Sequence, residues 1–217
     1  MKRYDYSKEL NPDKALIFRI THRDNVPWIL EHGLVCANGQ PQDPSFVPIG
    51  NRDLIGKRTH RQVPLAPGGT LADYVPFYFT PFSPMLYNIV TGRGVPYRPN
   101  NEIVILVSSL RRVAKLGLGF VFTDRHAYLE AARYFNGLEE LAQVDWERLQ
   151  RRQFARDPEH PERFDRYQAE ALVHGHVPEG ALLGVVGYCD AVVESIKVIR
   201  DEHGLDLKVI RKTGWYF

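Results

Sequence analysis

The chain has 217 residues, a formal net charge of +2, and 44% hydrophobic and 25% charged residues. This composition excludes a fibrous or disordered protein, and so small a net charge does not by itself indicate nucleic-acid binding. No apolar run approaches the length of a membrane span and no secretory leader is visible, so we expect a cytoplasmic protein without a membrane segment and with one domain over residues 1–217. Cys36 and Cys189 lack the spacing of a zinc site, so we expect reduced cysteines and no metal.

The first predicted elements are a buried strand over residues 15–20, ALIFRI, and a helix over residues 26–32, VPWILEH. Asp24 or Asn25 suits the start of this helix and Gly33 its end. A basic segment with few apolar residues then follows, and it is predicted to be a mobile or ligand-ordered loop that can follow a phosphate backbone. Its basic residues are Arg52, Lys57, Arg58, His60 and Arg61.

Residues 73–87, DYVPFYFTPFSPMLY, combine many aromatic rings with three prolines. Because proline fixes φ and cannot donate to a sheet ladder, the prolines are predicted to divide this run into a short strand at residues 77–80 and a rigid loop. A single ring in such a run most often belongs to the core. So dense a run nevertheless indicates the wall of a pocket for a flat ligand, formed by Tyr74, Phe77, Phe79 and Phe82.

The second half of the chain mixes strands and helices without regular βαβ alternation, and no GxGxxG follows a strand, which argues against a Rossmann fold. A helix is predicted after Thr123 or Asp124, because the apolar residues from Tyr128 to Phe135 share one helical face, and Gly137 ends it. Further helices are predicted over residues 138–154 and 190–203, the second one capped by Asp190. Strands are predicted over residues 102–108, 119–123, 169–173, 182–188 and 206–211.

Glu170 lies inside the apolar stretch of residues 169–173. A buried carboxylate costs free energy unless it has a partner or a chemical task, so this residue is a candidate functional group. The alternative is a glutamate at a strand edge that faces water. A second basic cluster, from Arg148 to Arg156, is either a solvated helix face or a surface that binds phosphates.

Five segments of the chain, taken in order, resemble the DarT family: FRITHRDNVPWILEHGL, DYVPFYFTPFSPMLY, FVFTDRHA, YQAEALVH and the terminal GWYF. Members of this family are the toxins of bacterial toxin–antitoxin pairs and transfer ADP-ribose from NAD to a base in DNA. The resemblance covers nearly the whole chain. It implies an α+β fold of the ADP-ribosyltransferase type, in which a split mixed β core is surrounded by helices and NAD occupies the central cleft.

The same resemblance implies the roles of several residues. Glu170 takes the position of the catalytic glutamate, which stabilises the oxocarbenium-like state formed when the nicotinamide bond breaks and can accept a proton from the base. Arg58 takes the position of an arginine that clamps the NAD phosphates or assists proton removal, with Lys57 or Arg61 as alternatives. Arg19 replaces a histidine of many relatives, with His22 as its substitute. The implied NAD-binding residues are Arg19, Ile20, Thr21, His22, Asn25 and Arg58.

Residues 138–167 correspond to the segment that shapes the acceptor site in the family. The implied nucleic-acid-binding residues are Arg151, Arg152, Arg166 and Tyr167, with the tyrosine stacked on an unpaired base and the arginines on phosphates. The predicted activity is NAD-dependent transfer of ADP-ribose to thymine or guanine in single-stranded DNA. The predicted partner is an antitoxin with ADP-ribosyl-hydrolase activity. An RNA or protein acceptor, and a non-catalytic nucleic-acid-binding module, are the alternatives.

Overall fold

The computed structural model of the chain describes residues 4–217. The strands are β1 (Leu16–His22), β2 (Leu34–Val35), β3 (Tyr74–Tyr78), β4 (Ile103–Ser109), β5 (Phe120–Thr123), β6 (Tyr134–Phe135), β7 (Glu170–His174), β8 (His176–Val177), β9 (Gly184–Gly187) and β10 (Lys208–Arg211). The helices are α1 (Val26–His32), α2 (Arg52–Arg58), α3 (Pro84–Thr91), α4 (Leu110–Lys115), α5 (Trp146–Gln150), α6 (Pro161–Tyr167) and α7 (Asp190–Glu202). In these residues, no helix is both long enough and apolar enough to span a membrane.

Eight strands form one mixed sheet in the order β10-β9-β4-β1-β3-β7-β5-β6, and β2 pairs with β8 in a small second sheet. The strands β1 and β4 are in register over the whole length of β1, and β3 and β7 over the whole length of β3. In contrast, β1 and β3 meet only where Phe18 lies opposite Tyr78. The sheet is therefore split at its centre into two halves of four strands, which confirms the predicted α+β fold with a split mixed core.

The aromatic run alternates between the two faces of β3. Phe77, Phe79 and Phe82 are at most 1% exposed and belong to the core, so the prediction that they form a pocket wall is wrong for these three rings. The strand also begins three residues earlier than predicted and contains Pro76. The carbonyl of Pro76 accepts a hydrogen bond from Arg19 on the β1 side. Its ring nitrogen therefore faces the split, where no ladder bond is lost.

The helix predicted after Asp124 does not form. Instead, the chain turns and returns as β6, because the buried Asp124 carboxylate accepts from the backbone N–H and the guanidinium of Arg133. The helix predicted over residues 138–154 is replaced by two shorter elements, a 3-10 helix (Leu138–Gln143) and α5. Asp145 caps the start of α5, because its carboxylate accepts a hydrogen bond from the Arg148 N–H.

Two further expectations need correction, and several hold. The basic segment predicted as a loop contains α2, whose first turn is capped by the Asn51 side chain. The residue that caps the start of α7 is Cys189 and not the predicted Asp190, which is the first residue of the helix. Helix α1 ends at Gly33 as expected. The strands predicted near β1, β4, β5, β7, β9 and β10 are present within one to two residues of their expected ends. Cys36 is buried and Cys189 partly buried, and neither forms a disulfide bond among residues 4–217.

Candidate active site

The split in the sheet opens into a cavity of about 330 Å³. Its wall brings together charged and aromatic residues from distant parts of the chain, because β1, β3 and β7 are neighbours in the sheet and residues of α2 also line the cavity. The lining residues that matter for chemistry are Arg19, Arg58, Tyr78, His126 and Glu170. Residues that are more than a hundred positions apart in the sequence thus meet at one site.

Glu170 is the first residue of β7 and is only 2% exposed. Arg58, at the end of α2, donates from Nη1 to Oε1 at 3.1 Å and from Nη2 to Oε2 at 2.9 Å. The backbone N–H of Ala127 also donates to Oε1, at 2.9 Å. This bidentate, buried pair is the arrangement in which a guanidinium holds a carboxylate most rigidly. The alternative of a water-facing glutamate at a strand edge is therefore excluded.

Burial alone raises the pKa of Glu170, but the positive charge of Arg58, the contact with His126 and the Ala127 N–H outweigh it, so the pKa lies below its ordinary value. For Arg58, burial favours the neutral form, yet the Glu170 carboxylate raises its pKa overall. The two residues are therefore an ion pair at neutral pH. Glu170 is ionised and Arg58 is a fixed cation.

His126 lies beside this pair with its Nδ1 3.3 Å from Glu170 Oε1. The same nitrogen is 3.2 Å from the backbone nitrogen of Tyr128, which is a donor. A ring nitrogen that accepts from Tyr128 has no proton to donate, so both bonds cannot form at once with a neutral imidazole. The contact that lowers the pKa of Glu170 requires a proton on Nδ1, whereas the contact with Tyr128 requires Nδ1 without one.

Arg19 and Tyr78 complete the polar floor of the cavity. One Nη of Arg19 donates to the Pro76 carbonyl across the split at 2.9 Å, while its buried Nε has no partner among residues 4–217. Burial and the nearby charge of Arg58 lower the pKa of Arg19 to about 10, so it stays protonated at neutral pH. Tyr78 lies opposite Glu170 in the sheet, and burial together with that carboxylate raises its pKa.

The other residues predicted to bind NAD divide into two groups. Ile20 and Thr21 line the cavity. Asn25 is completely buried and does not line it; its side chain instead bonds Thr21 Oγ1 at 2.9 Å and both polar backbone atoms of Val47. It thereby ties the segment before α2 to β1. His22 faces away, since Asp24 N–H donates to its Nδ1 and its Nε2 is 3.4 Å from Glu102, so the structure does not support it as a substitute for Arg19.

Each arginine predicted to bind nucleic acid already contacts another side chain. Arg151 is 48% exposed and pairs with Glu147, and Arg166 pairs with Asp145 at 3.5 Å. Arg152 adopts a left-handed φ of 52° and its guanidinium stacks 3.9 Å from the Phe82 ring centroid. Its orientation is thus set by aromatic rings rather than by solvent.

Tyr167 does not fit the role predicted for it. It is completely buried, and its hydroxyl donates to the Phe82 carbonyl at 3.2 Å. A base cannot stack on this ring without unfolding of the surrounding core, because ring faces that pack against Phe154 are not accessible. The expectation of a stacked base at Tyr167 is therefore wrong for this conformation.

Sequence reasoning missed several residues that the structure brings to Glu170. Tyr78 is one of them, although alternation along β3 places it on the same face as Pro76, toward the split. His126 and Ala127 end the FVFTDRHA segment of the resemblance, but they and Tyr134 belong to the stretch for which the sequence predicts a helix, so no pattern placed them beside Glu170. Among residues 4–217 no cluster of three or more histidine, cysteine or acidic side chains could hold a metal ion.

A split sheet with a buried carboxylate held by an arginine in the central cleft is the arrangement that the resemblance implies for an ADP-ribosyltransferase. A model of the family described as "ssDNA thymidine ADP-ribosyltransferase, DarT" matches residues 18–217. A DNA ADP-ribosyl transferase of Escherichia coli O127:H6 is 54% identical over 215 residues, or 99% of each chain. The chain belongs to the DarT family, and it is a DNA ADP-ribosyltransferase.

Solved structures of a relative from Thermus sp. 2.9 share the fold over nearly all residues. Its complex with ADP-ribosylated ssDNA is 38% identical with a TM-score of 0.87 and covers 100% of both chains. Its complex with NAD+ is 40% identical with a TM-score of 0.82 and covers 95% of this chain and 99% of that one. These similarities confirm the predicted family, fold class and enzymatic activity.

Proposed function

We propose that Glu170 is the catalytic carboxylate and Arg58 the arginine that holds it in the transfer of ADP-ribose from NAD to a base of single-stranded DNA. NAD is the co-substrate of this reaction. The observation that carries the proposal is the buried, bidentate contact between these two residues in the cavity at the split. The neighbouring positive charge of Arg19 and the rings of Trp28, Tyr74 and Tyr78 suit a ligand that combines a diphosphate with flat ring systems.

In the proposed reaction the bond between nicotinamide and C1′ of the ribose breaks, and positive charge develops on the ribose ring. The ionised Glu170 stabilises that charge, which is an effect exerted mainly in the transition state. Among residues 4–217, Oε1 accepts from Arg58 and Ala127, whereas Oε2 accepts from Arg58 alone. A carboxylate oxygen has two lone pairs, so Oε2 is the atom that can accept a ribose hydroxyl.

The proton released by the base nitrogen, as it bonds to C1′, needs an acceptor. Arg58 is unsuited to this step, because its raised pKa keeps it protonated. Glu170 is the proposed acceptor, since it is ionised and lies at the reacting centre. Arg58 then acts as a fixed cation that keeps the carboxylate oriented and attracts the NAD diphosphate, and Lys57 and Arg61 do not take its place.

We propose thymidine as the modified nucleoside, which rests on the family description rather than on a contact in this chain. The test incubates the protein with NAD and single-stranded oligonucleotides that each lack one of the four bases, and measures product masses. Only the oligonucleotide without thymine should remain unmodified. Modification of that oligonucleotide, together with loss of labelling when guanine is absent, would assign guanine instead.

We further propose that the enzyme acts as the toxin of a toxin–antitoxin pair. The support is chemical: an ADP-ribose group on a base of the template strand obstructs copying, so a cell that makes this enzyme needs a partner that removes the group. Expression of the wild-type protein should stop DNA synthesis, measured by thymidine incorporation. Expression of the Glu170→Gln variant should not, and an ADP-ribosyl hydrolase expressed with the wild type should restore synthesis.

A further inference from the structure

The Ala127 N–H that donates to Glu170 belongs to a turn rather than to a regular element. Residues 124–133 join β5 to β6 without helix or strand hydrogen bonds to fix each peptide plane. The N–H of Ala127 nevertheless reaches Glu170 Oε1 at 2.9 Å. The carbonyl of the same peptide group, that of His126, accepts from the Leu129 N–H at 3.1 Å, and side chains hold the turn from two sides.

The Tyr134 hydroxyl does so from one side. It donates to the carbonyl oxygen of Ala127 at 2.7 Å, the shorter of the two bonds that restrain this residue. Ala127 is completely buried, so water does not compete for its carbonyl. The N–H and the carbonyl of Ala127 belong to two adjoining peptide planes, so a bond to each limits the backbone rotation that is left at this residue.

Arg61 holds the same turn from the other side. Its Nη2 donates to the Leu129 carbonyl at 3.0 Å, and its guanidinium lies close enough to Tyr134 to oppose the rise that burial causes in the pKa of that phenol. Its Nε is buried without a partner among residues 4–217, which costs free energy. Such a cost is tolerated where the position of a side chain is required.

The backbone of Arg61 is fixed to the segment that carries Arg58. The Arg61 N–H donates to the Arg58 carbonyl at 3.2 Å, and the Arg61 carbonyl accepts from Leu71 N–H at 2.9 Å. The end of α2 and the turn that holds Glu170 are therefore linked through one side chain. Arg58 contacts the carboxylate directly, and Arg61 contacts the support of the carboxylate.

We infer that Arg61 and Tyr134 are positioning residues that fix the Ala127 N–H on Glu170 and so keep the catalytic carboxylate oriented for transfer. This inference rests on the proposed role of Glu170. Neither residue lines the cavity, so neither is expected to contact NAD or the base. Their loss should reduce turnover and leave NAD affinity nearly unchanged.

The acidic limb of the pH–rate profile distinguishes a loss of carboxylate positioning from a general loss of structure in the variants. The Ala127 N–H is one of the groups that lower the pKa of Glu170, so a misplaced peptide should move that limb to higher pH. The titratable or charged groups that face Glu170 are Arg58 from α2, His126 and Tyr134 from the turn and β6, and Tyr78 from β3. Each of these remains in the Arg61→Lys variant.

The experiment compares Tyr134→Phe with Tyr216→Phe, which also deletes a buried hydroxyl bonded to backbone carbonyls, those of Ile103 and Val186, but away from the cavity. Tyr134→Phe should lower kcat about threefold to tenfold, the loss expected for one hydrogen bond, with KM for NAD within about twofold of wild type. Its acidic limb should move up in pH. Tyr216→Phe should lower thermal stability without moving the limb.

Arg61 is tested with a graded pair. Arg61→Gln should lower kcat like Tyr134→Phe, and Arg61→Lys should restore part of it, since a lysine ammonium can still donate to Leu129. The matched control is Arg111→Gln, because Arg111 also donates from Nη2 to a backbone carbonyl, that of Pro12, far from the cavity. Unchanged kcat and an unmoved acidic limb in Tyr134→Phe and Arg61→Gln, alongside an inactive Glu170→Gln, would overturn this inference alone. An active Glu170→Gln would overturn the proposed function.

Discussion

Two clusters of arginines look alike in the sequence, but the arginine compared in one is buried and the arginine compared in the other is exposed. Arg58, in the cluster from Arg52 to Arg61, is 14% exposed and holds both oxygens of a buried carboxylate. Arg151, in the cluster from Arg148 to Arg156, is about half exposed and pairs with an exposed glutamate. An exposed pair contributes at most about 1 kcal/mol and exchanges readily for another anion, whereas a buried pair is costly to break. Burial, more than local charge density, separates the arginine proposed to orient the carboxylate from the arginine proposed to contact DNA.

The largest effect should follow loss of the Glu170 carboxylate. Glu170→Gln removes the negative charge and retains the volume, so we expect transfer to fall by more than about a hundredfold, as when other preorganised electrostatic groups are lost. The measurement is the rate of oligonucleotide labelling at saturating NAD. Glu194→Gln, in the exposed pair with Lys197 on α7, is the matched control and should behave like wild type.

Loss of Arg58 should affect both stability and activity, since it leaves Glu170 buried without its cation. A broken buried pair costs about 3–5 kcal/mol, so Arg58→Ala should lower the melting temperature and weaken NAD binding as well as turnover. Calorimetric titration with NAD and steady-state rates check the two effects separately. Arg61→Ala should lose turnover while keeping NAD affinity. Equal losses of NAD affinity in both variants would show that Arg61 contacts NAD as well.

The pH dependence of the protein's stability should follow from the lowered pKa of Glu170. The folded pKa lies below the ordinary value of 4.5, so the stabilisation from this group is fully present above about pH 4.5 and disappears as pH falls through the folded pKa. Wild-type protein should therefore lose stability on acidification in that window. The loss should be smaller in Glu170→Gln, measured by urea unfolding at a series of pH values. An identical pH dependence in both proteins would contradict the assignment of the ion pair.

The smallest effects should come from two surface arginines, the exposed Arg151 and the partly buried Arg166. Arg151→Ala and Arg166→Ala should each weaken oligonucleotide binding a fewfold and flatten the log–log salt dependence by about 0.7 for each phosphate of a single strand that the variant no longer neutralises. Their rates at saturating DNA should stay near that of wild type. Lys197→Ala on α7 supplies a control of equal charge change, and an equally flattened salt dependence in that variant would show that only net charge matters.

The parts of the fold that could be predicted from the sequence are those with strong local periodicity. The strand at β4 and the helix at α7 have continuous apolar or amphipathic patterns, and the predicted ends lie close to the observed ones. The apolar spacing of the turn after β5 fits a helix, and the prediction of a helix there is wrong. A tertiary interaction decides otherwise: buried Asp124 binds the backbone of Arg133 and closes the chain into β6.

The candidate site could be predicted only where a residue stands out from its neighbours. Glu170 is conspicuous as a carboxylate in an apolar strand, and the resemblance of the QAEALV segment supports it. The contact of Arg58 with Glu170 spans 112 positions in the sequence, and no local pattern encodes it. Tyr167 shows the converse error. A tyrosine among arginines suggests a base platform, but Tyr167 packs against Phe154, donates to the Phe82 carbonyl and is entirely buried.

The single contact between β1 and β3 leaves strand edges facing the cavity. Beyond Phe18 and Tyr78, the main-chain groups of β1 on that side have no partner strand among residues 4–217, and across the gap Arg19 supplies a side-chain bond to the Pro76 carbonyl. Every residue other than proline presents the same main-chain N–H and C=O groups. A ligand that binds them is therefore insensitive to most substitutions. We expect an NAD analogue that competes at this edge to be difficult to escape by point mutation, except by a change that closes the gap between the two strands.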